Sequence, residues 1–386
     1  MEFAKRIQGI ESSFVRDILK LATQKDIISF AGGLPEANLF PTGRFAKAAQ
    51  EILTNPKTAK VALQYGESTG FTPLKEIIAK TYKIKDNLDI DPNLIIITTG
   101  SQQALDLIGK TLLNEGDEVL LERPTYLAAI QALQFYKPKF TEIELSSNGP
   151  KTLPNKSKAK LAYIIPNFQN PTGITWSNEK REEFAKWAKK HNILIVEDDP
   201  YGEIRFSGKR QKPLKTFNEN TVLLGSFSKI LAPGLRLGWI IAPNKEIFRA
   251  LSLAKQSADL HSSQFTQLIA AKFYEDFDAQ AHIEKIAKEY GKRKDILYSK
   301  LQEIFPTAQI TNPDGGMFLW VRFPEEIKVL PLLKQAIDEG VAFVPGVPFY
   351  VSDPEKNTAR FNFSNTDESA ICKGVARLQK AVKSFV

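Results

Sequence analysis

Short apolar runs alternate with longer amphipathic stretches through the middle of the chain. The runs predict buried strands at residues 94–99, 118–122, 161–166, 193–198, 221–227 and 237–243. Strands that are buried on both faces read as nearly continuous apolar segments, whereas half-buried strands alternate with polar residues. The pattern therefore predicts a mostly parallel sheet with helices covering both of its faces.

Helical periodicity fills the segments between these runs. A helix is predicted after Gly100, because apolar residues recur there at helical spacing. Ser177 is a favoured N-cap residue, and the helix after it carries Phe184, Trp187 and Ala188 on one side. We expect that side to face the sheet.

The C-terminal part of the chain has a different pattern. After a helix-rich stretch at 265–304, the segments MFLWVRF, VAFVPG and ARFNFS predict strands of a smaller α+β unit. We expect a large domain at 45–280 and a small domain at 281–386. The N-terminal segment, 1–44, precedes the first sheet strand and is expected to pack on the small domain.

Composition and charge exclude several classes of protein. The chain has 386 residues, of which 42% are hydrophobic and 25% are charged, as in ordinary globular proteins. Its net charge is +8, but the densest basic clusters, at 209–212 and 292–294, contain no interleaved aromatic residues. We interpret these clusters as solvated surface and expect no nucleic-acid partner.

Cysteine and histidine give no sign of a metal site. Cys372 is the only cysteine, so neither an intrachain disulfide nor a cysteine zinc site can form. His191, His261 and His282 lie far apart and lack ligand spacing. The N-terminal residues lack the apolar core of a signal peptide, and no apolar run approaches the ~20 residues of a membrane span. We expect a cytoplasmic protein without a membrane partner.

Polar residues follow several of the predicted strands. Ligands of open parallel sheets bind at the carboxyl ends of the strands, and helix N-termini there bind anions. The residues at these ends are Ser101, Gln102, Asn170, Asp198, Tyr201, Ser226, Ser228, Lys229 and Arg236. They combine phosphate-binding groups with an amine and a carboxylate. This inventory suits pyridoxal 5′-phosphate, whose ring nitrogen pairs with a charged group and whose aldehyde joins a lysine.

Several motifs then resemble one family. TTGSQQALDL, PNFQNPTG, EDDPYGEI and GSFSKILAPGLRLGW are similar to motifs of the fold-type I pyridoxal-phosphate aminotransferases. ISFAGGLPEANLFP, LQYGESTG, GGMFLW, FVPGVPF and ARFNFSN resemble the 2-aminoadipate/kynurenine aminotransferase branch. The resemblance extends from about residue 10 to the C-terminus. It implies a large domain with a mostly parallel seven-stranded sheet, helices on both faces and a small α+β domain.

The resemblance also implies roles for the residues at the strand ends. Lys229 resembles the lysine that joins the cofactor and moves the substrate proton. Asp198 resembles the partner of the pyridine nitrogen, and Tyr201 and Asn170 resemble partners of the ring oxygen. Asn170 is also expected to contact substrate. The phosphate would be held by Ser101, Gln102, Ser226, Ser228 and Arg236.

Further positions match the family at a distance from these motifs. Arg360 resembles the arginine that grips the substrate α-carboxylate, and Gly33 lies where the backbone closes over substrate. Tyr126 resembles the aromatic residue on the cofactor face, although simple core packing explains an aromatic there equally well. Tyr65 resembles the tyrosine that reaches the partner subunit's phosphate, which implies a homodimer with shared sites. Arg16 either reads a distal carboxylate or is an ordinary arginine on a helix surface.

The implied function is amino transfer in amino acid metabolism. Donors would be 2-aminoadipate or aromatic or aliphatic L-amino acids, and the acceptor a 2-oxo acid such as 2-oxoglutarate. Two alternatives share the motifs. One is a lyase or decarboxylase that uses the same cofactor, and the other is a non-catalytic sensor of the kind found in bacterial regulators.

Overall fold

The computed structural model describes residues 2–8 and 26–383, and its helices lie between the strands as the sequence pattern predicts. The α-helices in the described ranges are α1 (Thr42–Thr54), α2 (Pro56–Leu63), α3 (Thr72–Asp86), α4 (Ser101–Leu112), α5 (Leu127–Leu133), α6 (Asn178–Lys190), α7 (Lys245–Asp259), α8 (Gln264–Asp276), α9 (Ala279–Ile304), α10 (Val329–Asp338) and α11 (Glu368–Lys383).

A large sheet forms from the strands between residues 95 and 241. Its members are β2 (Ile95–Thr98), β3 (Glu118–Arg123), β4 (Lys139–Ser146), β5 (Gly149–Pro150), β6 (Leu161–Ile164), β7 (Leu194–Asp199), β8 (Thr221–Ser226) and β9 (Gly238–Ile241). The spatial order is β2-β9-β8-β7-β6-β3-β4-β5. The pairs among β8, β7, β6, β3 and β4 are parallel, whereas β9 runs antiparallel to both of its neighbours. The predicted seven-stranded, mostly parallel sheet is therefore present, extended by the two-residue β5.

The sequence pattern missed β4, and its burial explains why. Residues 139–146 are mostly half-buried or exposed, and Ile143 is the buried side chain among them. A strand next to the sheet edge does not need a continuous apolar run. The search for buried runs therefore could not find it.

Side chains alternate between two apolar layers along the central strands. Leu121 and Tyr163 pack in a large cluster on one face, whereas Leu120 and Ile164 pack in a second cluster on the other. Helix α6 covers the second face, where Ser177 caps it by accepting from the Lys180 amide. Burial on both faces is what the continuous apolar runs predict.

A smaller sheet forms from the C-terminal strands. It consists of β10 (Gln309–Ile310), β11 (Phe318–Arg322), β14 (Thr358–Asn362) and β13 (Val344–Pro345), in that order and antiparallel. The N-terminal strand β1 (Ile28–Ser29) pairs in parallel with β12 (Val341–Ala342). The chain therefore brings part of the segment 1–44 onto a C-terminal strand. Within the part of the chain that the structure describes, no helix has the length and apolarity needed to cross a membrane.

Candidate active site

A cavity of about 680 Å³ opens at the carboxyl ends of β6, β7 and β8, where the large sheet meets the small one. The predicted residues that line it are Gly33, Ser101, Gln102, Tyr126, Asn170, Asp198, Tyr201, Ser226, Ser228, Lys229, Arg236 and Arg360. The fold thus gathers residues at or after the ends of β2, β3, β6, β7 and β8, together with Arg236 before β9, Gly33 in an N-terminal loop and Arg360 in β14 of the small sheet. A search along the sequence could name these residues, but only the sheet brings them to one place.

Lys229 lies just beyond β8, and its ε-amine faces the cavity. Its Nζ donates a hydrogen bond to the carbonyl oxygen of Gly33, at 2.9 Å. Burial, together with the nearby cations of Arg360 and Arg236, lowers the pKa of this amine to about 8. A substantial fraction of the amine is therefore neutral, and nucleophilic, near neutral pH.

Asp198 is buried near the end of β7, with 2% of its surface exposed. Its Oδ2 accepts a hydrogen bond from the hydroxyl of Tyr163 at 2.7 Å. Its Oδ1 is buried and has no hydrogen-bond partner among the described residues. Burial raises the pKa of Asp198 to about 6, and the Tyr163 hydrogen bond acts against that rise. A buried carboxylate oxygen without a partner is costly, so it requires a donor from the cavity.

Arg360 reaches the cavity from β14 of the small sheet. Its Nη1 donates to Oδ1 of Asn170 at 2.8 Å, and its Nη2 donates to the carbonyl of Ala31 at 2.8 Å. Asn170 in turn donates from Nδ2 to the hydroxyl of Tyr201 at 3.3 Å. The guanidinium lies 4.2 Å from the ring centroid of Phe318, and its Nε is buried without a partner in the described chain. A guanidinium held in this way presents a rigid, positively charged fork.

The N-terminus of α4 forms an anion cradle with Arg236. Gly100 precedes this helix with φ of 79°, a conformation that favours glycine. A Cβ at Gly100 would stand 2.6 Å from Nη2 of Arg236, which itself donates to the carbonyl of Thr99. Ser226 accepts from the Ser228 amide at 3.1 Å, and both serines line the same cavity. Helix N–H groups, hydroxyls and one guanidinium thus converge where a phosphate can bind.

Three further predicted residues lie on the cavity walls. Gln102 donates from Nε2 to the carbonyl of Ala128 at 3.1 Å, which uses one of the two N–H donors of its amide. Burial raises the pKa of Tyr126. A Cβ at Gly33 would come within 3.1 Å of the Phe318 ring, so only glycine fits there without displacing that ring.

Tyr65 is not among the residues that line the cavity of this chain. Tyr65 is 78% exposed, and its ring meets that of His261 edge-on at 5.8 Å. Arg16 lies outside the described residues, so its side chain is not placed.

Sequence reasoning missed several cavity residues. Phe318, Phe349 and Asn365 line the cavity, and Tyr163 holds Asp198 from within β6. One feature of the sequence could have identified Tyr163. It is a tyrosine within a strand predicted to be buried on both faces, and its hydroxyl needs a hydrogen-bond partner there. The other three lie in strand or loop segments whose pattern does not distinguish them from core.

These residues fit pyridoxal phosphate. The unpartnered Oδ1 of Asp198 can accept from a protonated ring nitrogen, and the buried amine of Lys229 can join an aldehyde. The cradle at Gly100 and Arg236 can take the phosphate. Among the described residues, no group of histidine, cysteine and carboxylate side chains has the arrangement of a metal site.

Comparisons with known proteins agree with this chemistry. Residues 25–378 match the family described as aminotransferase class I and II. Aromatic-amino-acid aminotransferase 1 of Thermococcus litoralis is 41% identical, over 99% of this chain and 94% of the relative. The 2-aminoadipate transaminase of Thermus thermophilus is 35% identical, over 100% of this chain and 97% of the relative.

A solved structure extends the likeness to three dimensions. The crystal structure of Pyrococcus horikoshii kynurenine aminotransferase, in complex with PMP and with its substrates and products, has a TM-score of 0.93 and 41% identity to this chain. The match covers 100% of this chain and 97% of that one. With its amine, its carboxylate and its anion cradle at the ends of a parallel sheet, this chain belongs to the class I and II aminotransferases, as a pyridoxal-phosphate-dependent transaminase of fold type I.

Proposed function

We propose that the amino donors are aromatic or aliphatic L-amino acids and 2-aminoadipate, and that the acceptor is a 2-oxo acid such as 2-oxoglutarate. The observation that carries this proposal is the make-up of the cavity. Phe318, Phe349 and Leu34 form apolar walls. The cationic lining residues of the described chain are Lys229, Arg236 and Arg360, which are all needed for the cofactor or for the α-carboxylate that every donor shares.

Apolar walls favour an apolar side chain on the substrate, because its burial removes hydrocarbon from water. The relatives support this choice through their names, which include aromatic amino acid, kynurenine and 2-aminoadipate aminotransferases. A distal carboxylate, as in 2-aminoadipate, needs a cation beyond those three. Arg16 is our candidate for that cation.

The roles of the site residues follow from their geometry. When bound, pyridoxal phosphate supplies a conjugated ring that takes up electrons from the substrate α-carbon. Asp198 would hold the ring nitrogen protonated through its unpartnered Oδ1. Lys229, with its amine lowered to a pKa of about 8, would move the proton at the α-carbon. Arg360 would bind the α-carboxylate with the donors that its present partners leave available.

The remaining site residues would orient and hold the cofactor. Tyr201 and Asn170 would donate to the ring oxygen, and Tyr126 would cover one face of the ring. Gly33 would let the backbone close over the substrate. The phosphate would be bound by Ser101, Gln102, Ser226, Ser228 and Arg236, which converge on the N-terminus of α4.

We also propose that the protein acts as a cytoplasmic homodimer without a nucleic-acid partner. Tyr65 supports the dimer, because a highly exposed tyrosine beside other exposed apolar residues, such as Leu63 and Leu260, is typical of an interface. We propose a cofactor-binding domain at 45–280 and a small domain at 281–386 that receives the segment 1–44. The pairing of β1 with β12 supports that last assignment.

A panel of donors tests the substrate proposal. The purified holoenzyme is mixed with one amino acid at a time, without acceptor, and the visible absorbance of the cofactor is followed. Aromatic donors and 2-aminoadipate should convert the cofactor to its pyridoxamine form, whereas the Lys229→Ala variant should bind cofactor and show no conversion. Conversion only by aspartate would contradict the proposed donors. Donor consumption that releases ammonia or carbon dioxide without the pyridoxamine form would favour a lyase or decarboxylase, and no reaction with any donor would favour a sensor.

A further inference from the structure

A fully buried glutamate lies on the face of the large sheet that the second apolar cluster and helix α6 cover. Glu122, in β3, shares the orientation of Leu120 and has no exposed surface. Its Oε2 accepts from the amide of Ile165 at 2.9 Å and from Nε2 of Gln169 at 3.3 Å. Its Oε1 accepts from the indole of Trp176 at 3.0 Å. All three donors belong to one loop, 165–176, which connects β6 with the residues before α6.

Further hydrogen bonds of Gln169 connect Glu122 with the middle of the loop. Its Nε2 also donates to the carbonyl of Pro124 at 2.7 Å. Its Oε1 accepts from the amide and the hydroxyl of Thr172, at 2.9 and 2.6 Å. These bonds fix the backbone on both sides of Asn170. Asn170 is 3% exposed and makes the contacts with Arg360 and Tyr201 described above.

The loop does not need Glu122 merely to stay attached. Arg181, in α6, is also fully buried and donates to the carbonyls of Pro166 and Trp176, at 2.8 and 3.0 Å. Both ends of the loop are therefore held by a second residue. Burial raises the pKa of Glu122 to about 8, although the three donated hydrogen bonds oppose that rise. Burial of an acid is costly, and the hydrogen bonds from the loop offset that cost only while the loop keeps this conformation.

We propose that Glu122 is a positioning residue that acts through Gln169 to orient the side chain of Asn170 towards Arg360 and Tyr201. It touches neither substrate nor cofactor. The inference rests on the proposed role of Arg360 in binding the substrate α-carboxylate. Loss of the Glu122 contact rotates the Asn170 amide away from the guanidinium, so the guanidinium fork is no longer held in one orientation.

The main test is Glu122→Gln, which preserves the shape of the side chain but places an amide donor against the loop donors. We expect the KM for the amino donor to rise about tenfold, the effect of one hydrogen bond, with a smaller change in kcat. The pH midpoint of the bound cofactor's visible absorbance should also move upwards, because a displaced amide stabilises an ionised ring oxygen less. A crystal structure of the variant without cofactor should show a longer distance between Asn170 Oδ1 and Arg360 Nη1.

A matched control separates positioning from stability. Trp176→Phe removes a donor to the same carboxylate at the far end of the loop, where no bond leads to Asn170. It should lower the unfolding temperature without moving the KM or the absorbance midpoint. Equal shifts in both variants, or unchanged KM and midpoint in Glu122→Gln, would overturn the proposal. If Glu122→Gln does not fold, Gln169→Met provides the same test, because it removes the link and leaves the carboxylate in place.

A further variant tests the role of Arg360 separately from the positioning role of Glu122. Arg360→Lys should raise the KM for the donor strongly, because an ammonium cannot form the two parallel bonds of a guanidinium. If Arg360→Lys leaves this KM unchanged, the proposed role of Arg360 is wrong. If Arg360→Lys raises it and Glu122→Gln does not, only the positioning role is wrong.

Discussion

The hydroxyl of Tyr163 donates a hydrogen bond to Oδ2 of Asp198 at 2.7 Å, and Oδ1 remains as the acceptor without a partner in the described chain. Both side chains are fully or almost fully buried, and they come from neighbouring parallel strands. The hydroxyl stabilises the charged form of Asp198 in a place where burial favours the neutral form. Tyr163 therefore helps to preserve the negative charge that a protonated ring nitrogen needs.

Tyr163→Phe should weaken cofactor binding in a pH-dependent way. Without the hydroxyl, the pKa of Asp198 rises above its present value of about 6, so more of the carboxyl is protonated near neutral pH. We expect the Kd for pyridoxal phosphate to increase about tenfold at pH 6 and less at pH 8.5. Titration of the apoenzyme with cofactor at several pH values measures this difference. The same increase at every pH would show that Tyr163 acts through packing alone.

The lowered pKa of Lys229 predicts how the rate of cofactor attachment depends on pH. Only the neutral amine attacks an aldehyde, so attachment to the apoenzyme should accelerate as the pH rises, with a midpoint near the pKa of about 8. After burial, the largest cause of the lowered pKa is the charge of Arg360. Arg360→Gln should therefore raise the pKa of Lys229 and move the midpoint to higher pH.

Stopped-flow absorbance of the apoenzyme mixed with pyridoxal phosphate gives this midpoint. Arg322→Gln is the control, because Arg322 pairs with Glu355 at the surface of β11, away from the cavity. It should leave the midpoint in place. A midpoint that does not respond to Arg360→Gln would mean that burial alone lowers the pKa of Lys229.

The exposed Tyr65 predicts complementation between inactive variants. Lys229→Ala and Tyr65→Ala should each be nearly inactive as homodimers. In a mixed dimer, one site combines the intact Lys229 of one protomer with the intact Tyr65 of the other. Random exchange of protomers should therefore restore roughly a quarter of the wild-type activity. No recovery after unfolding and refolding the two variants together would argue against a shared site.

The buried ion pair beneath the loop 165–176 should contribute more to stability than an exposed ion pair on the same helix, α6. Arg181 and Glu197 are almost fully buried, with 3.9 Å between Nη1 and Oε1, whereas Lys186 and Glu182 form an exposed pair on the same helix. Arg181→Met should lower the free energy of unfolding by about 3–5 kcal/mol, because Glu197 loses its cation and the buried carbonyls of Trp176 and Pro166 lose a donor. Lys186→Met should change it by about 0.5 kcal/mol or less. Urea unfolding compares them, and equal losses would contradict the argument.

The sequence by itself determined which segments form the centre of the large sheet and which residues stand at its strand ends. Continuous apolar runs mark strands buried on both faces, and the residues around Lys229 and Asp198 follow such runs directly. Hydrophobic burial and local turn chemistry depend on residues that are close together in the sequence, so the sequence pattern can identify them. The half-exposed β4 lacks a continuous apolar run, so the pattern did not identify it.

Only the tertiary structure decided how these residues meet. The contact of Asn170 with Arg360 spans 190 positions, and the contact of Glu122 with Gln169 spans 47. The same structure placed Tyr163 beside Asp198 and left Tyr65 outside its own cavity. Such pairings depend on strand order and on which face each side chain takes, and both are properties of the packed sheet. No periodicity in the sequence specifies them, because the residues that meet there are held by elements far from each other along the chain.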